Sequence, residues 1–383
     1  MKIALVKKQY SLRKGGAERY TVNLARGLKA LGHNVTVIGY AIDPELQYEV
    51  NFIPVDMRTT SSWAKNLSFA KNASFAVLRG NYDVSMGLCS APSVDVFRAT
   101  GRIHAHWMNI RYSNSLYNFL QRLNPRHRAV LELERQVYQR SQFIRKIIAQ
   151  SKLEHRLLSQ FYNVPEHRIE VIYNGVDTNV FHPRVRDQSV NIRMRLGIEP
   201  DEPLLVFASA VDFEGKGLRS VFMAMRNMRN RDTRLIVLGQ GQQRKFRHLA
   251  RDLGLSRRVM FLGRQPDIQL YFGVADLFVL PTVYEPFPNV NLEAMACGTP
   301  VLTSATSGGT DVITEGENGY VIAHSFAIDE MTERLDHHVS LSSERRRMMS
   351  NKSWNTARQL TVENNARRVA SLLQNVIQQK QAA

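Results

Sequence analysis

The sequence predicts an α/β protein built from two doubly wound parallel-sheet domains. Short apolar runs rich in β-branched residues alternate with segments of helical periodicity through most of the 383 residues. The alternation stops in a polar, proline-marked stretch at 179–203 and then begins again. A hydrophobic content of 44% is enough for two buried cores. Ligands of such sheets bind at the carboxyl ends of the strands, so we expect the active site in a cleft between two facing domains.

Each half of the chain begins on a strand. The strands and helices predicted for the first half are, in chain order, strand 3–6, helix 17–31 with Gly32 as its cap, strands 34–38, 84–87 and 144–149, helix 152–162 and strand 169–173. Those predicted for the second half are strand 204–208, helix 217–227, strand 235–238, helix 243–253, strand 259–262, helix 268–274, strand 277–280, helix 289–297 and strand 301–303.

The domain limits follow from this pattern. We predict a first Rossmann-like domain at 1–183, a second at 184–355 and a C-terminal helix at 356–383. The residues from 325 onward have helical periodicity, with Val369, Leu373 and Val376 on one apolar stripe. This stripe predicts that the C-terminal helix packs on a domain surface, and we expect it to cross back to the first domain.

Charge and cysteine content narrow the function classes. The formal net charge is +17, of which residues 1–183 carry +12. A charged fraction of 22% is ordinary for a folded protein, which excludes a disordered polycation. The excess of positive charge predicts anionic partners for the first domain.

The two cysteines are too few for a disulfide-stapled module. No apolar run is long enough for a signal peptide or a spanning helix, which predicts a cytoplasmic protein.

A double-glycine turn follows the first predicted strand. Gly15 and Gly16 allow the backbone to approach a ligand closely, and the helix behind them presents free amides to an anion. An ordinary tight turn explains the same two glycines, because no G-x-G-x-x-G pattern follows.

The strongest local pattern is a pair of glutamates in the second half. Glu285 lies in a proline-rich loop after a strand, and Glu293 lies just over one turn into the next helix. Carboxylates accept hydrogen bonds from hydroxyls, so the pair suits a polyhydroxylated ligand such as a ribose joined to a sugar. The spacing alone also fits two unrelated surface glutamates.

A lysine occupies a corresponding place three βα units earlier. Lys216 follows a strand and precedes a helix, where its ammonium and the helix amides are able to hold a diphosphate without a metal. A surface lysine at a loop tip is the alternative. The chain has no D-x-D pair, the common metal-diphosphate motif, so we predict stabilisation by protein cations, no metal and no cofactor.

The region 98–146 combines a histidine pair with basic and aromatic residues. In an extended segment, His104 and His106 point to the same side and are able to bind one metal ion together. No third metal ligand has matching spacing, so a single histidine that acts as a hydrogen-bond partner or an acid-base group is the better interpretation. The region contains ten Lys or Arg residues and only two glutamates. This composition suits anionic lipid headgroups. A solvated basic helix is the alternative, and no module for nucleic acid is present.

Taken together, the motifs resemble the family-4 retaining glycosyltransferases of the GT-B type. The matching segments are 15–19, 174–177, 216–217, 239–241, 263–264 and 285–298. Within that family, 94–135 and 212–217 look most like the lipopolysaccharide-core glucosyltransferases that act on the first heptose.

The resemblance implies a role for each matching residue. Glu293 binds ribose hydroxyls and Glu285 holds hydroxyls of the donor sugar. The other implied donor contacts are to the diphosphate from Lys216, Gly15, Gly16 and the amides of Asn289 and Val290, to the donor from Gly239, and to the base from the backbone near Arg264. His104 is implied as a contact to the sugar in the cleft, and we predict Lys216, Glu285 and His104 as the catalytic group.

Two positions depart from the family pattern. Val211 stands where many relatives carry an arginine, so one phosphate cation is missing unless Arg244 or another residue replaces it. Pro288 stands where the family often has glycine, and proline has no N–H to offer a phosphate. Both departures bear on the choice of donor.

The implied activity is transfer of a hexose from UDP-glucose to an anionic glycolipid, such as the lipopolysaccharide inner core, on the inner face of the cytoplasmic membrane. Two alternatives remain at this point: transfer to an exopolysaccharide or other soluble glycan, and a non-catalytic protein that binds a nucleotide or a polyanion.

Overall fold

The computed structural model describes residues 1–99 and 101–382, and it divides them into two compact units. One unit comprises Met1–Asn174 together with the C-terminal helix that begins at Val362, and the other comprises Gly175–Thr361. The first boundary therefore lies at Asn174, nine residues before the predicted limit at 183. The C-terminal helix begins at Val362 and not at 356, because residues 343–357 form a separate helix of the second unit.

The first unit is a parallel sheet with helices on its faces. Its seven strands lie in the order β5-β3-β1-β6-β7-β8-β9. The strands are β1 (Lys2–Val6), β3 (Asn34–Gly39), β5 (Asn51–Pro54), β6 (Val84–Gly87), β7 (Val96–Arg98), β8 (Lys146–Ala149) and β9 (Ile169–Val171), with a separate two-residue pair β2 (Gln9–Tyr10) and β4 (Ala41–Ile42). The helices are α1 (Gly16–Ala30), α2 (Ser62–Arg79), α3 (His104–Arg111), α4 (Ser115–Arg122), α5 (Pro125–Arg135), α6 (Lys152–Tyr162) and α14 (Val362–Gln381).

Helix α14 packs on α1 through the apolar stripe that the sequence predicts. Val369, Leu373 and Val376 are buried in the same core cluster as Leu24 and Leu28. The two helices approach closely, since a Cβ atom built on Gly27 of α1 comes within 2.5 Å of the Ala366 side chain. Burying this stripe supplies the apolar contact that holds the end of the chain on the first unit.

The second unit repeats the architecture with six parallel strands in the order β12-β11-β10-β13-β14-β15. Its strands are β10 (Leu204–Ala208), β11 (Arg234–Leu238), β12 (Val259–Gly263), β13 (Leu277–Leu280), β14 (Val301–Ser304) and β15 (Gly319–Ile322). Its helices are α7 (Val185–Arg195), α8 (Leu218–Asn227), α9 (Gln243–Asp252), α10 (Ile268–Val274), α11 (Asn289–Ala296), α12 (Ile328–Ser340) and α13 (Ser343–Ala357). Both units are Rossmann-like, as the alternation of strands and helices predicts.

Two segments differ from the sequence prediction. The polar stretch 179–203 is not a plain linker, because it contains α7, which packs against α10 and buries Val185 and Ile192. His104 and His106 are not extended, since they form the first turn of α3. Residues two apart in a helix point to nearly opposite sides, which removes the premise that both rings share one direction.

Candidate functional site

Lys216 and Glu285 lie on loops that follow neighbouring strands of the second sheet. Lys216 follows β10 and Glu285 follows β13. The Gly215 carbonyl accepts hydrogen bonds from the Val283 amide (3.0 Å) and the Thr282 hydroxyl (3.1 Å). These two bonds hold the loops together at the carboxyl edge of the sheet, where open parallel sheets place their ligands.

The two predicted catalytic side chains of this unit are in direct contact. The Lys216 ammonium donates to Oε2 of Glu285, and the side chains retain 17% and 23% exposure. An ammonium has three N–H donors and this ion pair uses one, so the pair is able to contact a ligand while it remains formed. The Glu285 backbone is fixed in turn by the Gly308 amide, which donates to its carbonyl at 2.9 Å.

Helix α11 directs its N-terminus at the same edge. Its first residues are Asn289 and Val290, and no side chain caps the helix. The preceding Pro288 has no N–H, so the backbone amides at this end of the helix begin with that of Asn289. An uncapped N-terminus carries partial positive charge and favours a phosphate. Glu293 lies four residues further along the helix and is half-buried.

Asn291 is a polar residue of this helix that the sequence analysis missed. Its side chain is 1% exposed, and neither amide atom has a hydrogen-bond partner. The amide nitrogen lies 2.7 Å from the position of a Cβ built on Gly309, so the side chain points toward the loop after β14. Its position two residues after Asn289 gives no sequence signal that separates it from a solvated helix residue.

The loops after β11 and β12 complete this edge. Gly239 has a φ of +118°, and a Cβ there would lie 1.7 Å from the Ser209 carbonyl oxygen. Glycine is therefore required for the backbone to pass the loop that carries Lys216. The Gly239 amide donates to the Gly263 carbonyl at 2.7 Å, immediately before the exposed Arg264.

The position at which many relatives carry an arginine is occupied here by the exposed apolar side chain of Val211. Val211 is 70% exposed on the loop after β10. The exposed Arg244 lies in the first turn of α9, which follows the neighbouring strand β11. Replacement of the missing cation by Arg244 stays a prediction.

The double-glycine turn lies at the carboxyl end of β1 in the first unit. The Gly15 amide donates to Oε2 of Glu18 at 3.2 Å, and Oε1 of Glu18 forms an ion pair with the buried Lys7 at 3.2 Å. Glu18 therefore occupies the amide of Gly15, and Gly16 begins α1 itself. Of the two glycines, Gly16 is the better candidate for an anion contact.

His104 belongs to a network of aromatic and imidazole rings in the first unit. Its Nε2 lies 2.9 Å from Nδ1 of His127, and Nε2 of His127 lies 3.3 Å from the Tyr112 hydroxyl. The indole ring of Trp107 stacks on His104 with 5.4 Å between ring centroids. Burial lowers the pKa of His104 to about 4, with a further contribution from His127, so the ring is neutral at pH 7.

A half-buried glutamate fixes the start of α3. Oε1 of Glu134 accepts from the His104 amide at 2.7 Å, and Oε2 accepts from the Ala105 amide at 3.3 Å and from the Tyr162 hydroxyl. Burial raises the pKa of Glu134 to about 7. In the sequence, Glu134 stands out only as one of two acids in a basic region, because its partners lie far away along the chain.

Within the described part of the chain, no group of three or more His, Cys, Asp or Glu side chains is arranged to hold a metal ion. None of the helices in that part is long and apolar enough to cross a membrane.

Family models match both units. The Glycosyltransferase Family 4 model matches residues 14–180, and the model of glycosyl transferases group 1 matches residues 189–354. The chain belongs to the group 1 glycosyltransferases. These matches confirm the family that the glycine, lysine and glutamate motifs indicate, and the two Rossmann-like units are those of the GT-B fold.

Two curated relatives of this group 1 glycosyltransferase align over most of their length. An uncharacterized glycosyltransferase of Methanocaldococcus jannaschii is 28% identical over 343 residues, covering 83% of this chain and 84% of the relative. The lipopolysaccharide glucosyltransferase WaaG of Escherichia coli is 25% identical over 325 residues, covering 84% and 85%.

Solved structures share the complete fold. The crystal structure of WaaG, described as a glycosyltransferase involved in lipopolysaccharide biosynthesis, superposes with a TM-score of 0.82 at 23% identity and covers 97% of this chain and 99% of WaaG. The Anabaena protein Alr3699/HepE, solved in complex with UDP-glucose, gives a TM-score of 0.73 at 20% identity and covers 98% and 100%.

Proposed function

We propose that this glycosyltransferase moves a hexose, with retention of configuration, from UDP-glucose to a membrane-held anionic glycolipid of the lipopolysaccharide inner-core class. The observation that carries the proposal is the Lys216–Glu285 ion pair, which lies on the strand-end loops of the second unit. Those loops precede α8 and α11, and α11 has no capping side chain. Cation, carboxylate and helix amides are the groups that a nucleotide-diphosphate sugar requires.

Each group acts on a different part of the donor. The two remaining N–H donors of Lys216 and the amides of Asn289 and Val290 stabilise the charge that develops on the leaving diphosphate. Glu285 accepts hydrogen bonds from sugar hydroxyls, and Glu293 accepts them from the ribose. Lys216 and Glu285 are hydrogen-bonded to each other. The ammonium that binds the diphosphate and the carboxylate that binds the sugar are therefore held next to each other.

Transfer needs no metal and no cofactor in this proposal. The bond between the anomeric carbon and the diphosphate oxygen breaks, a bond to the acceptor oxygen forms on the same face, and the leaving diphosphate receives the acceptor proton. Electrostatic stabilisation of the leaving diphosphate and orientation of the two substrates account for the rate enhancement. The known complex of the Anabaena protein with UDP-glucose supports this choice of donor.

The acceptor side is supported by charge and by similarity. Residues 1–183 carry a net charge of +12, which suits a phosphorylated glycolipid, and the relative WaaG is a lipopolysaccharide glucosyltransferase. No nucleic acid is involved in the proposal.

Helix α4 supports peripheral contact with the inner face of the cytoplasmic membrane. None of its residues is buried. Four large apolar side chains follow the i, i+3, i+4, i+7 spacing of a single helix face and are 52–68% exposed: Leu116, Phe119, Leu120 and Leu123. An exposed apolar face of this kind is typical of a helix that lies in a lipid interface.

Transfer assays test the activity. Radiolabelled glucose from UDP-glucose is offered with deep-core lipopolysaccharide in vesicles, with the same core oligosaccharide freed of lipid, and with a soluble glycan. We expect label on the vesicle-held acceptor. Label on the soluble glycan alone would support the rival polysaccharide transferase, and binding of UDP-glucose without transfer or hydrolysis would support a non-catalytic binder.

Vesicle sedimentation tests the membrane contact. Wild-type protein should bind vesicles that contain phosphatidylglycerol more than neutral vesicles, and high salt should weaken the binding. The double variant Leu116→Glu, Phe119→Glu should lose most of it. Tyr48→Glu is the control, because Tyr48 is 96% exposed in the same unit and lies outside α4. Equal binding by all three proteins would contradict the role of α4.

A further inference from the structure

Helix α5 contacts His104 at two points. Glu134 accepts a hydrogen bond from the His104 amide at 2.7 Å, and His127 lies 2.9 Å from the His104 imidazole. The two α5 residues are seven positions apart, which places them on the same face of the helix. One holds the backbone of His104 and the other holds its ring.

The backbone contact replaces a missing cap. The N-cap position of α3 is Ile103, whose side chain has no hydrogen-bonding group. The Glu134 carboxylate satisfies the amides of His104 and Ala105 instead, and the Tyr162 hydroxyl donates to the same carboxylate. The position at which α3 begins, and with it the position of His104, depends on a residue of another helix.

The ring contact bears on which nitrogen of His104 carries the proton. The Tyr112 hydroxyl lies 3.3 Å from Nε2 of His127, and a phenol is a stronger acid than a neutral imidazole N–H, which favours Tyr112 as the donor. With Tyr112 as donor, the proton of a neutral His127 is on Nδ1, 2.9 Å from Nε2 of His104. That arrangement leaves the proton of a neutral His104 on Nδ1, the ring nitrogen that the His127 contact does not use.

We propose that Glu134 and His127 are positioning residues for the transfer reaction, and that they present His104 to a sugar hydroxyl as a hydrogen-bond donor through Nδ1. This inference rests on the proposed function and on the sequence-based prediction that His104 contacts the sugar. Glu134, His127 and the tautomer of His104 lie outside the sequence motifs that carry the family resemblance. Stacking on Trp107 keeps the plane of the ring fixed.

Nitrogen NMR of histidine-labelled protein tests the tautomer without any need for activity. His104→Gln identifies the His104 signals. We expect a protonated Nδ1 and an unprotonated Nε2 in the wild-type protein at pH 7, and loss of this single state in His127→Ala. A protonated Nε2 in wild type, or an unchanged tautomer in His127→Ala, would overturn the inference.

A double-mutant cycle tests the effect on transfer. His127→Ala and Glu134→Gln should each lower kcat by about tenfold or more, since a small misplacement of a reacting group is costly. In a His104→Ala background they should have no further effect, because they act through His104. Multiplying losses would contradict the inference. His167→Ala, which changes an exposed histidine of the same unit, should match wild type.

The two proposals fail in different ways. If wild-type protein transfers no sugar, the proposed function fails, whereas the NMR experiment still decides the tautomer. If His104→Ala lowers transfer and His127→Ala does not, only the positioning role fails. Should Glu134→Gln not fold, Tyr162→Phe removes one donor from the same carboxylate, and the same loss of kcat and the same dependence on His104 are expected.

Discussion

The two units of this glycosyltransferase hold their candidate residues by different means. In the second unit, Lys216 and Glu285 come from loops after adjacent strands, and backbone hydrogen bonds join those loops directly. In the first unit, side chains that lie 23 and 30 residues further along the chain hold His104. The comparison teaches that a parallel sheet positions loop residues by its topology, whereas a helix residue of the first unit depends on specific long-range side-chain contacts.

Removing the ion pair of the second unit should have the largest effect. Lys216→Ala and Glu285→Ala should each lower kcat by about a thousandfold, comparable to loss of a transition-state hydrogen-bond donor, without unfolding the protein. Lys245→Ala removes a more exposed lysine of the same unit, which pairs with Glu214 at 2.6 Å, and should retain activity. Wild-type turnover in a folded Lys216 or Glu285 variant would remove that residue from the mechanism.

A glycine substitution tests whether the second unit depends on its backbone. Gly239→Ala places a Cβ 1.7 Å from the Ser209 carbonyl oxygen at a φ of +118°, and should lower the free energy of unfolding by about 3 kcal/mol or more. Gly254→Ala is the matched control, with a φ of +73° and open space around the new methyl, and should cost about 1 kcal/mol. Urea titrations that give equal losses would show that the close approach is unimportant.

The two units should also respond to pH in opposite directions. Burial raises the pKa of Glu134 to about 7 in the first unit and lowers the pKa of His338 to about 4 in the second. The contribution of Glu134 to stability is therefore present below its unfolded pKa and declines as the pH rises toward 7. The contribution of His338 is present above pH 6.5 and declines as the pH falls toward 4.

Each group should shift the free energy of unfolding by on the order of 3 kcal/mol across its range. Urea titrations between pH 4 and 8 measure this dependence. Glu134→Gln should make stability rise more steeply with pH, and His338→Gln should flatten the rise. Unchanged slopes in both variants would contradict the assigned pKa directions.

The candidate positions of the second unit are easier to predict from the sequence than the contacts around His104 in the first unit, for a physical reason. The places of Lys216 and Glu285 on loops after strands are visible as a local pattern, whereas the roles of these residues and of Glu293 were implied by the family resemblance. Most strands and helices were predictable on the same basis, because their periodicity is local, whereas the short strands β2, β4, β5, β7 and β15 were not predicted. The contacts of His127 and Glu134 with His104 exist only after α3 and α5 pack together, so no spacing in the sequence reveals them.

Two further differences have the same origin. Helix α7 was missed because its polar surface and the flanking prolines resemble a linker, and only packing against α10 shows which residues it buries. Asn291 was missed because burial of both amide atoms is a tertiary property. The hydrogen bond from the Gly15 amide to the Glu18 carboxylate differs from these cases, because it is a local capping contact. The two residues are three positions apart, and that spacing is visible in the sequence.

Calorimetric titration with UDP-glucose tests the central claim most directly, since it asks whether Lys216 and Glu293 of the second unit bind the donor. We predict that wild-type protein binds UDP-glucose, that Lys216→Ala and Glu293→Ala weaken the binding at least tenfold, and that His127→Ala changes the Kd less than twofold. Equal affinity of wild type, Lys216→Ala and Glu293→Ala, or no binding by the wild-type protein, would contradict the account.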